Sequence, residues 1–88
     1  MKYHVELTET AKKQLKKMDR ATASFITGWM RKNLEGCDDP RQHGKGLTAN
    51  RSGQWRYRVG EYRIIAKIED NRVLILVLGI GHRSEVYS

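Results

Sequence analysis

The segment from Gln54 to Lys67, QWRYRVGEYRIIAK, constrains the fold most, because it predicts two β-strands joined by a tight turn. Gly60 and the residue after it separate two alternating runs, and glycine at the first central position suits a type II′ hairpin turn. A two-residue turn fixes the register of the strands. We therefore expect an antiparallel hairpin in which Arg58 lies directly opposite Arg63.

The two faces of this hairpin differ in chemistry, because side chains alternate sides along a strand. One face is apolar and suits a core: Trp55, Tyr57, Val59, Tyr62, Ile64, Ala66 and Ile68. The other, named the arginine face below, carries Arg56, Arg58 and Arg63, with Ile65 and Lys67 beyond them. Like charges directly opposed cost roughly 0.2–1 kcal/mol. A solvated surface is one interpretation, but the opposed arginines favour an anion-binding surface.

Length and charge limit the classes of partner. The chain has 88 residues, enough for a single domain over residues 1–88. Seventeen Lys and Arg against ten Asp and Glu give a net charge of +7. A net charge this far from zero gives information about binding partners rather than about the fold. Nucleic acid is the first expectation, an acidic protein the second and an anionic membrane surface the third.

Cysteine usage and hydropathy concern the compartment. Cys37 is the only cysteine, which excludes an internal disulfide and favours a reducing cytoplasm. Residues 1–17 lack the apolar core of a signal peptide. The longest apolar run, Val73–Leu78, is far shorter than the ~20 residues of a membrane helix. We expect a soluble, cytoplasmic protein.

The N-terminal half predicts a strand and two helices. Alternation over Lys2–Leu7 indicates the strand. Thr8 and Asp19 are plausible N-caps of two successive helices, the second ending near Leu34 or Glu35. The expected apolar stripes are Ala11, Leu15 and Met18 in the first helix, and Phe25, Ile26, Trp29, Met30 and Leu34 in the second.

The C-terminal half adds strands. The run Val73–Leu78 is apolar at both parities, as in a central strand covered on both sides. The order β-α-α-β-β-β predicts an α+β fold: a small, antiparallel-dominated sheet, joined by the N-terminal strand, with a helical hairpin on one face. The arginine face would then be the open one.

The irregular segment Gly36–Gly53 offers no convincing metal site, since the spacing of its Cys, Asp and His residues fits no zinc pattern. Nucleotide-loop and hydrolase motifs are absent, so no cofactor is expected. Lys45 lies close in sequence to the hairpin and is a candidate to join its anion site.

The chain ends GHRSEVYS, and this tail can supply three functions. His82 suits proton transfer, Arg83 phosphate binding and Tyr87 base stacking. Together, the blocks WRYRVGEYRI and GHRSEVY resemble the RelE/ParE superfamily of bacterial toxins, specifically its RelE-like branch. The resemblance covers essentially the whole chain.

The resemblance implies a toxin that enters the ribosomal A site and cleaves mRNA there, leaving a cyclic phosphate, and a cognate antitoxin that covers or distorts this surface. Arg56 and Arg58 match a pair of basic residues, often lysines, before the hairpin turn. Arg63 matches the arginine that stabilises the transition state. Arg83 and Tyr87 match the arginine and tyrosine of the closing motif. Ribosomal RNA would be contacted through the basic surface.

The sequence departs from this pattern at the proton-transfer groups, because arginine has a pKa above 12 and is a poor base. His82 is the predicted substitute as acid or base, and Lys45, Glu61, Glu85 and Tyr87 are weaker candidates. The predicted catalytic set is Arg58, Arg63, His82, Arg83 and Tyr87, and the predicted RNA-binding set is Lys45, Arg56 and Lys67.

Two other functions stay open. A ParE-like toxin of the same fold would poison DNA gyrase without cleaving RNA. A module without activity would act only as a co-repressor with its antitoxin. The set Arg58, Arg63, Arg83 and Tyr87 favours the nuclease over both.

Overall fold

The computed structural model describes residues 2–46 and 53–82 and has an α+β fold, as predicted. Two helices pack against a five-stranded mixed sheet. The elements are β1 (His4–Leu7), α1 (Glu9–Lys17), α2 (Arg20–Asn33), β2 (Lys45–Gly46), β3 (Gln54–Val59), β4 (Tyr62–Glu69) and β5 (Leu74–His82), with a 3₁₀ turn at Asp70–Arg72.

The strands lie in the order β1-β5-β4-β3-β2. β1 runs parallel to β5, and the other neighbours are antiparallel. The predicted hairpin register is confirmed, since Val59 pairs with Tyr62 and Arg58 with Arg63. Gly60 has a φ of 60°, as the first central residue of a type II′ turn requires.

Both predicted N-caps are confirmed. The Thr8 hydroxyl accepts a hydrogen bond from the Ala11 N–H, and the Asp19 carboxylate accepts one from the Thr22 N–H. Each such cap stabilises a helix by about 1 kcal/mol. Within the described residues, no helix is long and apolar enough to cross a membrane.

The core lies between the helices and the apolar face of the sheet. Its buried side chains are Ala11, Ile26, Met30, Leu34, Tyr57, Val59, Ile64, Ala66, Ile75, Val77 and Ile80. Trp29 is half-buried and packs against this cluster. Phe25 is a correction to the predicted stripe, because 60% of its surface is exposed. The apolar stripe of α2 is therefore narrower than its sequence suggests.

The last strand departs most from the prediction. It runs over Leu74–His82 rather than Val73–Leu78. Ala66 pairs with Val77, whereas the preceding residue of β4 pairs with Gly79, so Leu78 is an extra residue in the ladder. Such a β-bulge changes which face the following side chains occupy. Val77 and Ile80 consequently both reach the core although their parities differ.

Candidate nucleic-acid interface

The hairpin gathers four cations on one side of the sheet. Arg58 and Arg63 are direct cross-strand partners, and Arg56 lies opposite Ile65. Directly opposed residues share a face, and so do residues two apart in one strand. Arg56, Arg58, Arg63 and Lys67 therefore lie together on the arginine face, away from the core.

This face combines exposed charged side chains with a buried apolar side chain between them. Arg58 and Lys67 are exposed, and Arg56 and Arg63 are half-buried. Ile65 lies among them and is only 6% exposed. Partial burial lowers the local dielectric, which strengthens the attraction of a guanidinium for phosphate. The surface can therefore hold a polyanion more firmly than isolated, fully solvated cations would.

A fifth cation is added by β2, a two-residue strand that the sequence did not predict. Lys45 pairs with Arg56 across the β2–β3 ladder. The two side chains therefore share a face, and the Lys45 side chain is exposed. The structure thus brings all three predicted RNA-binding residues, Lys45, Arg56 and Lys67, to the arginine face together with Arg58 and Arg63.

The chain before β2 is held against β3 by a close backbone approach. Gly44 has a φ of 78°, and a side chain there would collide with the Arg56 carbonyl oxygen. The Trp55 indole N–H donates a hydrogen bond of 2.6 Å to the His43 carbonyl. A Cβ on Gly46 would lie 3.2 Å from the Trp55 ring, so the chain runs over the indole. Trp55 packs against the core from a half-buried position, on the face that the sequence predicts, and it also holds this loop in place.

Two further contacts fix the start of the same loop. The Tyr57 hydroxyl donates a buried hydrogen bond of 2.7 Å to the Pro40 carbonyl, and burial raises the pKa of Tyr57. Arg41 donates two hydrogen bonds of 3.0 Å to the Asp70 carboxylate, and Tyr3 donates a third of 2.7 Å. Arg41 first, and then Tyr3, lower the pKa of Asp70 to about 2.

His82 lies on the other side of the sheet from the arginines. It pairs with Tyr62, whose ring packs against the core, and the two rings meet edge to face at 5.7 Å. Its Nε2 atom lies 4.0 Å from the Glu61 carboxylate. With Lys17 and Met18, His82 and Tyr62 help to line a cleft of about 420 Å³. The bulge at Leu78 places His82 there, so the structure does not unite it with Arg58 and Arg63.

The remaining predicted residues of the tail, Arg83, Glu85 and Tyr87, lie outside the described residues. Over residues 2–46 and 53–82, the structure contains no group of three or more His, Cys, Asp or Glu side chains that could hold a metal ion. The arrangement that it does contain is a set of neighbouring cations on the sheet face opposite the helices, where Arg58 and Lys67 are exposed and the Nε and Nη1 atoms of Arg63 are buried. Such a set can bind phosphate and stabilise negative charge that develops on it.

Comparison with known proteins identifies the family. Residues 5–87 match the family model described as the ParE toxin of the type II toxin–antitoxin system parDE. The chain belongs to the RelE/ParE superfamily of type II toxins. This confirms the family resemblance of the WRYRVGEYRI and GHRSEVY blocks.

Individual relatives of this RelE/ParE toxin cover nearly its whole length. Toxin RelG of Mycobacterium tuberculosis is 28% identical over 87 residues, which is 99% of this chain and 98% of RelG. In the crystal structure of the RelBE2 toxin–antitoxin complex of the same organism, the similar chain has a TM-score of 0.85 and 26% identity, with 97% and 95% coverage. The RelE–RelB complex of Pyrococcus horikoshii has a chain of the same fold, with a TM-score of 0.72, 24% identity and 97% and 99% coverage.

Proposed function

We propose that this toxin inhibits translation by ribosome-dependent endonucleolytic cleavage of mRNA in the A site. The observation that carries the proposal is the direct opposition of Arg58 and Arg63 on the face of the sheet opposite the helices. Each arginine guanidinium can bind two phosphate oxygens in a bidentate manner. The similarity to toxins named RelG and RelE supports the same branch of the superfamily.

The reaction begins with attack of an RNA 2′-oxygen on the adjacent phosphorus. The new P–O2′ bond forms while the P–O5′ bond breaks, leaving a 2′,3′-cyclic phosphate and a free 5′-hydroxyl. Negative charge grows on the equatorial oxygens of the phosphorane, and Arg58 and Arg63 stabilise it. Removing one preorganised donor from a developing oxyanion typically costs 10²–10³-fold in rate, roughly 2.7–4 kcal/mol.

Proton transfer requires another source. A guanidinium group has donors but no acceptor, so Arg58 and Arg63 cannot accept the 2′-hydroxyl proton. His82 lies beside Tyr62 on the helix side, so it does not face the same phosphate. We assign the acid and base to the ribosome or to the C-terminal residues Glu85 and Tyr87. A ribosomal contribution would explain why cleavage depends on the ribosome.

The partners follow from the family. Toxins of type II systems act with a cognate antitoxin, and the solved complexes RelBE2 and archaeal RelE–RelB pair such proteins. We propose that the antitoxin of this chain covers or distorts the arginine face. Ribosomal RNA would be contacted through the basic surface of the toxin, whose net charge is +7.

A second candidate function is poisoning of DNA gyrase, which the ParE description of the matching family model favours. That activity would not require a phosphate-binding pair on the open sheet. Accumulation of covalent gyrase–DNA cleavage complexes upon toxin addition would support it.

Mapping of mRNA 5′ ends by primer extension in a translating extract tests the proposal. The wild-type toxin should produce new 5′ ends only on messages engaged by ribosomes, and Arg63→Ala should produce none. Lys13→Ala removes an exposed cation of α1 and serves as the control that retains cleavage. If the message stays intact in the extract although the same toxin still stops the growth of cells that express it, gyrase would become the favoured target.

A further inference from the structure

We propose that Lys45 and Arg56 form a second phosphate subsite, which holds the phosphate next to the scissile one, and that Trp55 and Gly44 are positioning residues for it. The inference deepens the proposed nuclease function and rests on it. It divides the arginine face into two cation pairs with different tasks. Arg58 and Arg63 would act on the scissile phosphate, and Lys45 and Arg56 would only hold the chain.

The register sets the separation of Arg56 and Arg58, the two arginines that β3 contributes, one to each pair. Arg58 is opposite Arg63, and Arg56 is opposite Lys45 on the other side of β3. Arg56 and Arg58 are two residues apart in one strand, which places their Cα atoms roughly 6.7 Å apart at about 3.3–3.4 Å per residue. That spacing resembles the distance between successive phosphates of an extended single strand. One RNA strand can therefore engage both pairs at once.

Lys45 occupies its place because of contacts made by its neighbours. Two residues alone make a weak strand, so β2 depends on what surrounds it. The Trp55 indole N–H holds the His43 carbonyl at 2.6 Å, and the positive φ of Gly44 brings the backbone against the Arg56 carbonyl. Both contacts lie within two residues of Lys45. They fix the lysine backbone while its ammonium group stays exposed to solvent.

The cation types suit this division of tasks. A lysine ammonium is a flexible point charge that accepts many phosphate orientations, whereas paired arginines impose a planar, bidentate geometry. A subsite that tolerates movement fits a phosphate that is bound but not transformed. The subsite should therefore contribute to affinity and to placement of the strand, and little to stabilisation of the phosphorane.

The salt dependence of RNA binding tests the subsite without any cleavage. The probe is a short single-stranded RNA with 2′-O-methyl groups throughout, which cannot undergo 2′-oxygen attack. Each phosphate contact contributes about 0.7 to the slope of log affinity against log salt for a single strand. Lys45→Gln should lower the magnitude of the slope by about that amount. Lys45→Arg should preserve the slope, and Lys16→Gln on the exposed face of α1 should leave it unchanged.

The positioning role is tested by combining substitutions. Trp55→Phe keeps an aromatic ring but removes the N–H donor, and it should reduce the slope as Lys45→Gln does. The double variant Trp55→Phe/Lys45→Gln should lose no more than Lys45→Gln alone, because both act on one contact. Additive losses, or an unchanged slope in Trp55→Phe, would overturn the positioning role. Gly44→Ala should also displace the Lys45 backbone, because the new Cβ would collide with the Arg56 carbonyl oxygen, and it should reduce the slope in the same way.

The outcomes separate this inference from the proposed function. A reduced slope in Arg58→Gln together with an unchanged slope in Lys45→Gln would overturn the second subsite and leave the nuclease proposal standing. Unchanged slopes in both variants would remove the arginine face as an RNA-binding surface and overturn both proposals. Thermal melting of every variant checks that the fold is retained.

Discussion

Arg58 and Arg63 lie directly opposite each other in the β3–β4 ladder, on the face of the sheet that the helices do not cover. Two cations in this relationship repel each other, and neither contributes to the core. The repulsion between the two side chains opposes folding, whereas a phosphate placed between them would be attracted by both. Under the proposed function, the pair exchanges some fold stability for the ability to hold an anion.

Relief of this repulsion should stabilise the fold. Arg58→Thr should raise the free energy of unfolding by roughly 0.2–1 kcal/mol, because a like-charge pair disappears. Urea denaturation gives the value, and Lys67→Thr is the matched control. Lys67 lies opposite the uncharged Gln54. Its substitution therefore changes the β-propensity of the strand without removing a pair of opposed like charges. An equal gain in both variants would show that the arginines do not repel each other measurably.

His82 should matter little for RNA cleavage despite its place in the predicted catalytic set. Its ring lies beside Tyr62 on the helix side of the sheet, separated from Arg58 and Arg63. His82→Gln should therefore retain cleavage within a few-fold in a ribosome-based assay, with an unchanged pH profile. A loss of 10²-fold or more would be the effect expected of a general acid or base, and it would restore His82 to the site.

The position of His82 shows where the sequence misleads. Strict alternation from Ile75 and Val77, both core residues, would place residue 82 on the arginine face. The extra residue Leu78 inverts the alternation, so that Ile80 and His82 point to the helix side. The apolar run gives no sign of this bulge, because it is apolar at both parities. The hairpin register, in contrast, follows from a short glycine turn and was predictable.

Tyr57→Phe should destabilise the fold by about 1–3 kcal/mol, since it leaves the buried Pro40 carbonyl without the hydroxyl donor it now has. Thermal or urea denaturation measures the change. Tyr62→Phe is the control, because its ring is only half-buried and water can replace lost bonds; we expect less than about 0.5 kcal/mol there. Similar costs for the two variants would contradict an anchoring role for the Tyr57 hydroxyl.

The ion pair between Arg41 and Asp70 should make stability depend on pH in acid. The pKa of Asp70 is lowered to about 2 in the folded chain, chiefly by Arg41. A lowered carboxyl pKa contributes stability above its unfolded value near 3.9, and this contribution is lost as the pH falls through about 2.

Asp70→Asn cannot ionise, so its melting temperature should fall below that of the wild type at neutral pH. The difference should shrink between pH 4 and pH 2, and melting curves across that range measure it. Glu6→Gln, at an exposed carboxylate of β1, is the control. A difference that stays constant down to pH 2 would show that the carboxylate charge is not what stabilises the loop.

The loop that carries Lys45 shows a second limit of sequence reasoning. Its glycines and polar residues predict an irregular segment, and they carry no periodicity from which a strand could be inferred. β2 forms because Trp55 and Gly44 make contacts across the β2–β3 ladder that only the folded chain reveals. The positive charge of the arginine face was predictable from the alternation of Arg56, Arg58 and Arg63. The edge strand β2, which adds Lys45 to that face, was not predictable.

The most direct test of the central claim is the single-turnover rate of mRNA cleavage on purified ribosomes with an empty A site. Arg58→Ala and Arg63→Ala should each lower the rate by about 10²–10³-fold. The double variant should lose less than the product of the two, because both groups stabilise one phosphorane. The wild-type product should end in a 2′,3′-cyclic phosphate. Unchanged rates in both single variants would contradict the assignment of the arginine pair to catalysis.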